Sequence, residues 1–334
     1  MIHKKVVLIL IFAFILMLPS CTKKQVEEKE VTLVMAEVNP AETIAGQMDQ
    51  AFKQKVEELS DGKIKIDLQC SGILGDIDSL MQMATKGGSS VDILRVSPQN
   101  LVPYGCEKTI MLSIPYTFSS KEHFWRFANS ETAKELLDEP VKTGLGLKGL
   151  FFAEEGFRHF FSSVKINGVE DFAGLYVRGT NDAAMQGLIA GLKANSISVN
   201  FVDLYSSIQT GVVNVAEQPI SNYLANHFYE VAPYMILDGH TIGVMEAVIT
   251  LDAWNSLSPN QQNILIEAGK YAQEFCRKLS QQEEDKVRAQ LVAQGATITD
   301  VKDITPWQRV CSNVIKTASA VDSKLYADIL AIAK

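Results

Sequence analysis

Apolar and polar positions alternate along the first third of the chain in two distinct periods. Residues 31–38, 63–69 and 91–96 are β-rich runs, and the second of them alternates strictly, with Ile64, Ile66 and Leu68 on one face. Between these runs, residues 45–59 and 76–86 show the three- and four-residue spacing of buried helical faces. Asn39 as N-cap, with Pro40 after it, predicts that the first helix begins at residue 39. The β-α-β-α-β order predicts an α/β lobe with a largely parallel sheet.

The second third of the chain repeats this arrangement. Strands are predicted at 147–153, 175–179 and 198–202, and helices at 182–192 and from residue 204. Two α/β units in one chain predict two lobes with a cleft between them. Such clefts are preferred sites for small ligands.

A long helical pattern follows late in the chain. Ser258 as N-cap, Pro259 at the first position and Gln261 at the third form a capping box, and Gly295 is the first strong stop signal. A helix of about 35 residues is about 50 Å long, enough to lie across both lobes. The alternative, two helices with a break near Ser280, stays open at this point.

The N-terminus predicts export. Lys4 and Lys5 precede an apolar run at 6–18, which at 13 helical residues reaches only about 20 Å of the roughly 30 Å of a bilayer core. We therefore interpret residues 1–20 as a signal peptide rather than a transmembrane anchor. Residues 18–21, LPSC, resemble a lipobox, which implies acylation of Cys21 and a polar tether over 21–30. A Cys that merely lies near the cleavage site is the alternative.

Composition narrows the function. The net charge is −8, and it becomes −10 without residues 1–20, which contain Lys4 and Lys5, so a general nucleic-acid binder is excluded. The Cys and His spacings match no metal site, and the chain has no Walker A, HExxH or GxSxG motif. Residues 144–149, GLGLKG, match GxGxxG, but they precede a predicted strand instead of joining a strand to a helix, so a dinucleotide site and an enzyme are not predicted. Exported chains can form disulfides, but spacing cannot choose between pairs and free thiols. The cysteines after residue 21 are Cys70, Cys106, Cys276 and Cys311.

Two arginines stand among apolar residues beside predicted strands. Arg158 lies in the segment EEGFRHFFSS at 154–163, and Arg178 ends the run LYVR at 175–178. A partly buried guanidinium needs an anionic partner. That partner is either an internal carboxylate or the carboxylate of a ligand held by the planar Arg fork.

Several longer stretches carry a family resemblance. They are SDGKIKI at 60–66, GILGD at 72–76, LSIPY at 112–116, LYSSIQTGVV at 204–213 and EQP at 217–219. With the two Arg segments, they resemble the DctP-type periplasmic solute-binding proteins of TRAP (tripartite ATP-independent periplasmic) transporters, from about residue 31 to 294.

The resemblance implies a two-lobed α/β fold, like type II periplasmic binding proteins, with a hinge-closing cleft and a long helix spanning both lobes. We place lobe 1 at 31–155 plus 244–283, and lobe 2 at 156–243 plus 284–334. The resemblance also implies capture of a small organic acid for a membrane permease, in some systems with a helical-repeat accessory protein. The protein is then periplasmic and anchored through Cys21. The residues expected at the ligand are Arg178, Arg158, Gln218, Phe201, Glu37, Asn39, Asp76, Ser97 and His240.

Two other hypotheses stay open. The first keeps the fold but has the lipoprotein bind an apolar ligand or a protein, with Arg178 in an internal salt bridge. The second is a periplasmic hydrolase, which requires Ser, His and Asp side chains to converge in the cleft.

Overall fold

The computed structural model describes residues 29–88, 90–180 and 182–333. Its strands are β1 (Val31–Ala36), β2 (Ile64–Gln69), β3 (Ile93–Val96), β4 (Leu147–Ser162), β5 (Tyr176–Gly179), β6 (Asn195–Ser198), β7 (Val215–Pro219), β8 (Tyr234–Thr250) and β9 (Thr297–Asp300). Its α-helices are α1 (Ile44–Leu59), α2 (Ile77–Thr85), α3 (Lys121–Ala128), α4 (Glu131–Leu137), α5 (Glu139–Lys142), α6 (Ala183–Gly191), α7 (Leu204–Gln209), α8 (Ile220–Ala225), α9 (Leu251–Ser256), α10 (Pro259–Ala293), α11 (Thr305–Val310), α12 (Ser312–Ser319) and α13 (Ser323–Ala331).

The sheet joins two lobes through its two longest strands. Its order is β2-β1-β3-β8-β4-β7-β5-β6, with β9 beside β8. Parallel strands β1–β3 form the first lobe, and β5–β7 form the second, also in parallel. The antiparallel pair β4 and β8 runs through both lobes, with bulges between Glu154 and Phe157 and between Arg158 and Phe160. The predicted two-lobed α/β fold is confirmed.

Strand β4 is much longer than the predicted strand at 147–153. The strand continues through the polar pair Glu154 and Glu155 and past Gly156 to Ser162. A bulge absorbs the irregularity, because Gly156 has a φ of 97° and its N–H donates to Glu154 Oε2 at 2.6 Å. Arg158 therefore lies inside the sheet rather than at its edge.

The late helix is continuous. Ser258 and Gln261 form the predicted capping box, and α10 runs unbroken over 35 residues, about 52 Å. It packs against α1 of the first lobe and against α8 and β9 of the second. The alternative break near Ser280 is wrong, since Ser280 is fully buried within the helix and its carbonyl oxygen accepts from Lys121 Nζ.

Two predicted boundaries are wrong at the cleft. Helix α1 begins after Thr43, whose hydroxyl accepts from the Gly46 N–H, and not after Asn39. The Asn39 side chain donates through Nδ2 to Glu37 Oε1. The strand expected at 198–202 lies earlier, as β6, and residue Phe201 begins a 3₁₀ turn. Both shifts place loop residues at the cleft.

One apolar cluster extends across both lobes, since it joins Met48 of α1 to Val177 of β5. This cluster packs α1 and α10 against the sheet, and includes Phe52 and Phe151. A second, around Phe161 and Tyr223, lies under α7, α8 and the end of α10. The four cysteines among the described residues are free thiols, three of them buried.

Some predictions lie outside what the structure describes or stay untested. The signal peptide, Cys21 and most of the tether fall outside the described residues. Within the described part, no helix is both long enough and apolar enough to cross a membrane. The division of the lobes by residue number stays a prediction; α13 packs against α4, and α12 packs against α6.

Candidate ligand-binding site

A cleft between the lobes contains two adjoining pockets. The inner pocket, about 80 Å³, brings together Asn39, Arg95, Ser97, Asn100, Glu155, Arg158, Arg178, Thr180, Phe201, Glu217, Gln218 and Asn222, among others. The outer pocket, about 310 Å³, shares Arg178 and Phe201 and adds Asp76, Asp78, Asp182 and Asn200. Small-molecule sites are concave and placed in this way between lobes. Six of the nine predicted residues line the inner pocket: Arg178, Arg158, Gln218, Phe201, Asn39 and Ser97.

Arg178 is the third residue of β5 and lies where the two pockets meet. Its Nε donates to the carbonyl oxygen of Val199 at 3.0 Å. Among the described residues no carboxylate forms an ion pair with it. Burial lowers the pKa of this guanidinium, and the more distant Glu217 only partly opposes that effect. Arg178 is thus a half-buried cation that none of the described carboxylates neutralises.

Arg158 differs from Arg178 because internal carboxylates already bind it. Its Nε and Nη2 contact the Glu217 carboxylate, the latter at 2.8 Å, and its Nη1 donates to Glu155 Oε1 at 3.1 Å. Burial alone would raise the pKa of the Glu217 carboxyl. The attraction of Arg158 is the stronger effect and lowers the pKa of Glu217 to about 2. One N–H of the Arg158 Nη1 group remains for a ligand.

A third arginine, which sequence reasoning missed, lies opposite on β3. Arg95 is buried and binds the Glu37 carboxylate with two of its nitrogens. Glu37 Oε1 also accepts from the backbone N–H of Asn39 at 2.6 Å and from its Nδ2 at 2.8 Å. Glu37 therefore holds Arg95 and Asn39 in place from behind the pocket. The sequence contains the same pattern that pointed to Arg178, because Arg95 lies in the apolar predicted strand at 91–96 as Arg178 lies in the predicted strand at 175–179.

Gln218 and Asn222 form the polar end of the inner pocket. Asn222 Nδ2 donates to Glu155 Oε2 at 3.0 Å and to Gln218 Oε1 at 3.4 Å. Asn222 Oδ1 is buried and has no hydrogen-bond partner among the described residues. Asn222 and Glu155 were not predicted as site residues, because their roles depend on a contact between two residues that lie 67 positions apart in sequence.

His240 lines neither of these two pockets. It lines a smaller adjoining cavity, together with Ser97, Arg158 and Glu217, which also line the inner pocket. Its Nδ1 is 2.7 Å from Asp238 Oδ2, and its Nε2 is 3.5 Å from Glu217 Oε2. Burial opposes the charge of the imidazole, but the two carboxylates raise the pKa of His240 to about 9. The protonated ring stabilises Glu217, which in turn holds Arg158.

The remaining predicted residues lie at the walls and rim. The Phe201 ring packs edge-on against Phe228, with ring centroids 6.1 Å apart, and forms an apolar wall. Asp76 caps α2, and its Oδ2 accepts from Asn200 Nδ2 at 3.2 Å across the mouth of the cleft. The Ser97 N–H donates to Asn100 Oδ1 at 2.9 Å. No group of three or more His, Cys, Asp or Glu side chains among the described residues could hold a metal ion.

Comparison with known proteins identifies the family. The model of "bacterial extracellular solute-binding protein, family 7", DctP, matches residues 35–321. This chain belongs to family 7 of the bacterial extracellular solute-binding proteins. The members of family 7 are solute-binding proteins rather than enzymes.

Family 7 relatives match nearly the whole chain. The 2,3-diketo-L-gulonate-binding periplasmic protein YiaO of Escherichia coli is 24% identical over 284 residues, 84% of each protein. A TRAP periplasmic solute binding protein from Sulfitobacter sp. NAS-14.1, solved with β-D-galacturonate, is 25% identical with a TM-score of 0.82, covering 90% of this chain and 99% of that one. Another from Sulfurospirillum deleyianum, solved with succinate, is 23% identical with a TM-score of 0.84, covering 91% and 99%.

Proposed function

We propose that this chain captures a small organic acid in the cleft between its lobes and delivers it to the membrane permease of a TRAP-type transporter. The observation that carries the proposal is Arg178, whose half-buried guanidinium lies at the junction of the two pockets and is bound by no described carboxylate. A partly buried cation without an ionic partner is costly, so an anionic ligand both binds it and removes that cost.

The arrangement favours a carboxylate at Arg178 in particular. Its Nε is oriented by Val199, which leaves the terminal nitrogens of the planar fork for a ligand. Arg158 and Arg95 are already bound by Glu217 and Glu37. The relatives described above are named for, or were solved with, diketogulonate, galacturonate and succinate, all of them carboxylic acids.

The other site residues support capture rather than turnover. Gln218, Asn39 and Ser97 offer hydrogen bonds, and Phe201 covers an apolar face of the ligand. Arg158 contributes its remaining N–H. Glu37 and His240 do not contact the ligand themselves but hold Arg95 and Glu217 in place. Asp76 accepts a hydrogen bond from Asn200 across the mouth of the cleft. A charged hydrogen bond contributes about 1.5–3 kcal/mol, well short of the roughly 8 kcal/mol of a micromolar site, so closure of the lobes must add contacts. We therefore propose that this chain binds its ligand without chemically changing it.

We further propose that the protein is periplasmic and held at a bacterial membrane by lipid on Cys21. The lipobox-like residues 18–21 and the polar tether after them support this placement. A helical-repeat accessory protein is a further partner in this proposal. Expression with the natural N-terminus should place the protein in the membrane fraction, and Cys21→Ser should release it to the soluble fraction. Equal distribution of both forms would contradict the anchor.

The alternative of an apolar or protein ligand is weaker after these observations. It required Arg178 to be neutralised by an internal carboxylate, and none of the described carboxylates is paired with it. It remains an outcome of the experiment below.

Native mass spectrometry of the protein purified without refolding tests the proposed function. A small carboxylic acid should be released on denaturation, and the Arg178→Ala protein should purify without it. An apolar molecule released equally from both proteins would contradict the proposal. If the purified protein releases no ligand, calorimetry should measure the binding of a panel of organic acids to the natural protein and to Arg178→Ala. Equal affinity of an acid for both proteins would contradict the proposed function.

A further inference from the structure

The charges around the cleft limit how many carboxylates a ligand can carry. Three arginines and two glutamates line the inner pocket: Arg95, Arg158, Arg178, Glu155 and Glu217. Arg95 is bound from behind the pocket by Glu37, and Arg158 is bound by both Glu155 and Glu217. Arg178 is the only one of the three guanidinium groups that no described carboxylate binds, so it is the group that pairs with a ligand carboxylate, and Arg158 adds one remaining N–H.

The outer pocket repels a second negative charge. Its lining includes the carboxylates of Asp76, Asp78 and Asp182, and Arg178 is the sole basic residue there. Asp76 and Asp182 are fixed because they cap α2 and α6. A ligand that places one carboxylate on Arg178 and extends outward would bring any second carboxylate towards these aspartates, in a partly desolvated site.

The inner pocket offers hydrogen-bond acceptors where the ligand continues inward. Asn222 Oδ1 is a buried acceptor without a partner among the described residues, and Glu155 beside it is a carboxylate. Acceptors are satisfied by donors, and an ionised ligand carboxylate donates none. A hydroxyl group supplies the donor without adding charge, and satisfying a buried acceptor favours binding.

Resting on the proposed function, we propose that the cleft selects monocarboxylates bearing several hydroxyls, that is, sugar acids of one negative charge, over dicarboxylates. Arg178 binds the single carboxylate. Asn222 is a specificity residue that accepts a hydrogen bond from a ligand hydroxyl. Asp78, exposed in the first turn of α2, contributes to the rejection of a second carboxylate.

Matched pairs of acids test the charge rule. Galactonate and galactarate, gluconate and glucarate, and erythronate and meso-tartrate each differ by one terminal carboxylate in place of a CH₂OH group. Calorimetry on the purified protein should find at least one pair in which the monoacid binds about tenfold or more tightly than the diacid. Asp78→Asn should narrow that ratio by about two- to fivefold, whereas the control Asp285→Asn, on an exposed position of α10, should not change it.

The hydroxyl preference has its own test. Asn222→Ala should weaken binding of the preferred sugar acid by about tenfold and leave the measurable, weaker binding of hexanoate, a monoacid without hydroxyls, unchanged. Equal losses for both acids would overturn the role of Asn222.

The failures of the two proposals are distinguishable. If a diacid of the panel, or succinate, binds more tightly than every monoacid and Arg178→Ala abolishes that binding, this inference is wrong and the proposed function stands. If no acid binds in a manner that depends on Arg178, both are wrong.

Discussion

The side chain of Arg178 donates through Nε to the carbonyl oxygen of Val199, one residue beyond the end of β6. This contact orients the guanidinium without neutralising it, because a carbonyl carries no net charge. The neighbouring strand thus fixes the direction of the cation while leaving its charge for a ligand. An ordinary internal salt bridge would have removed that capacity.

Replacement of Arg178 separates charge from geometry. Arg178→Ala should abolish detectable binding of the acid, and Arg178→Lys should lose about 10- to 100-fold, since Lys keeps the charge but not the planar fork. The measurement is calorimetry, with thermal unfolding to show that the fold is unchanged. Arg309→Ala, at an exposed position of α11, is the matched control and should bind like the natural protein. Full affinity in Arg178→Lys would mean that the fork is not used.

Glu217 is expected to matter for stability more than any exposed carboxylate. It is buried and binds Arg158, and it lies 3.5 Å from His240. Glu217→Gln leaves both cations poorly paired, so we expect a loss of about 3–5 kcal/mol in the free energy of unfolding at pH 7. Glu131→Gln removes an exposed pair with Lys134 and should have no measurable effect. Equal stability of the two variants in denaturant titrations would contradict this account.

Local patterns predicted the elements well where neighbours in sequence determine the structure. The capping box of Ser258 and Gln261 begins α10 as expected, and Asp182 caps α6. The same logic failed at Asn39, because the helix is capped four residues later by Thr43, and the backbone N–H and Nδ2 of Asn39 donate to Glu37. Glu37 also binds Arg95, a contact between residues 58 apart in sequence that no local pattern could show.

The partners of the cleft residues could not be predicted from sequence. Arg158 and Glu217 are 59 residues apart in sequence and meet only because β4 and β7 pair in register. Sequence placed Arg178 ahead of Arg158 only through the family resemblance, because both arginines stand among apolar residues beside predicted strands. The structure distinguishes them, since Arg158 is bound by carboxylates and Arg178 is not.

The buried His240 predicts a loss of stability in alkali. Its pKa is raised from 6.5 to about 9 by Asp238 and Glu217. A group whose folded-state pKa is raised contributes stability that is fully present below pH 6.5 and is lost as the pH rises through 9, here on the order of 3 kcal/mol. Denaturant titrations at pH 6.5 and 9.5 should show this loss in the natural protein and much less of it in His240→Gln.

The exposed His227 supplies the control for that measurement. His227→Gln should keep the full pH dependence between 6.5 and 9.5, because this ring lies at the surface beside Tyr229 and Glu230. Groups other than His240 also titrate with pH, but their effects cancel when each variant is compared with the natural protein. Identical pH profiles for His240→Gln and the natural protein would show that the imidazole is not charged in the folded state.

The contact between Asp76 and Asn200 links the two lobes at the mouth of the cleft, and we expect it to slow ligand release. The hydrogen bond is 3.2 Å long and exposed, so its net contribution is at most about 1 kcal/mol, or about fivefold in affinity. Asn200→Ala removes it without disturbing the cap that Asp76 provides to α2. The dissociation rate of the acid, followed by stopped-flow fluorescence, should rise by about two- to fivefold while the association rate changes little. Asn195→Ala, which loses only a surface hydrogen bond to Gly174, should leave both rates unchanged. A slower association in Asn200→Ala with unchanged dissociation would mean that this pair organises the open cleft and does not hold the closed one.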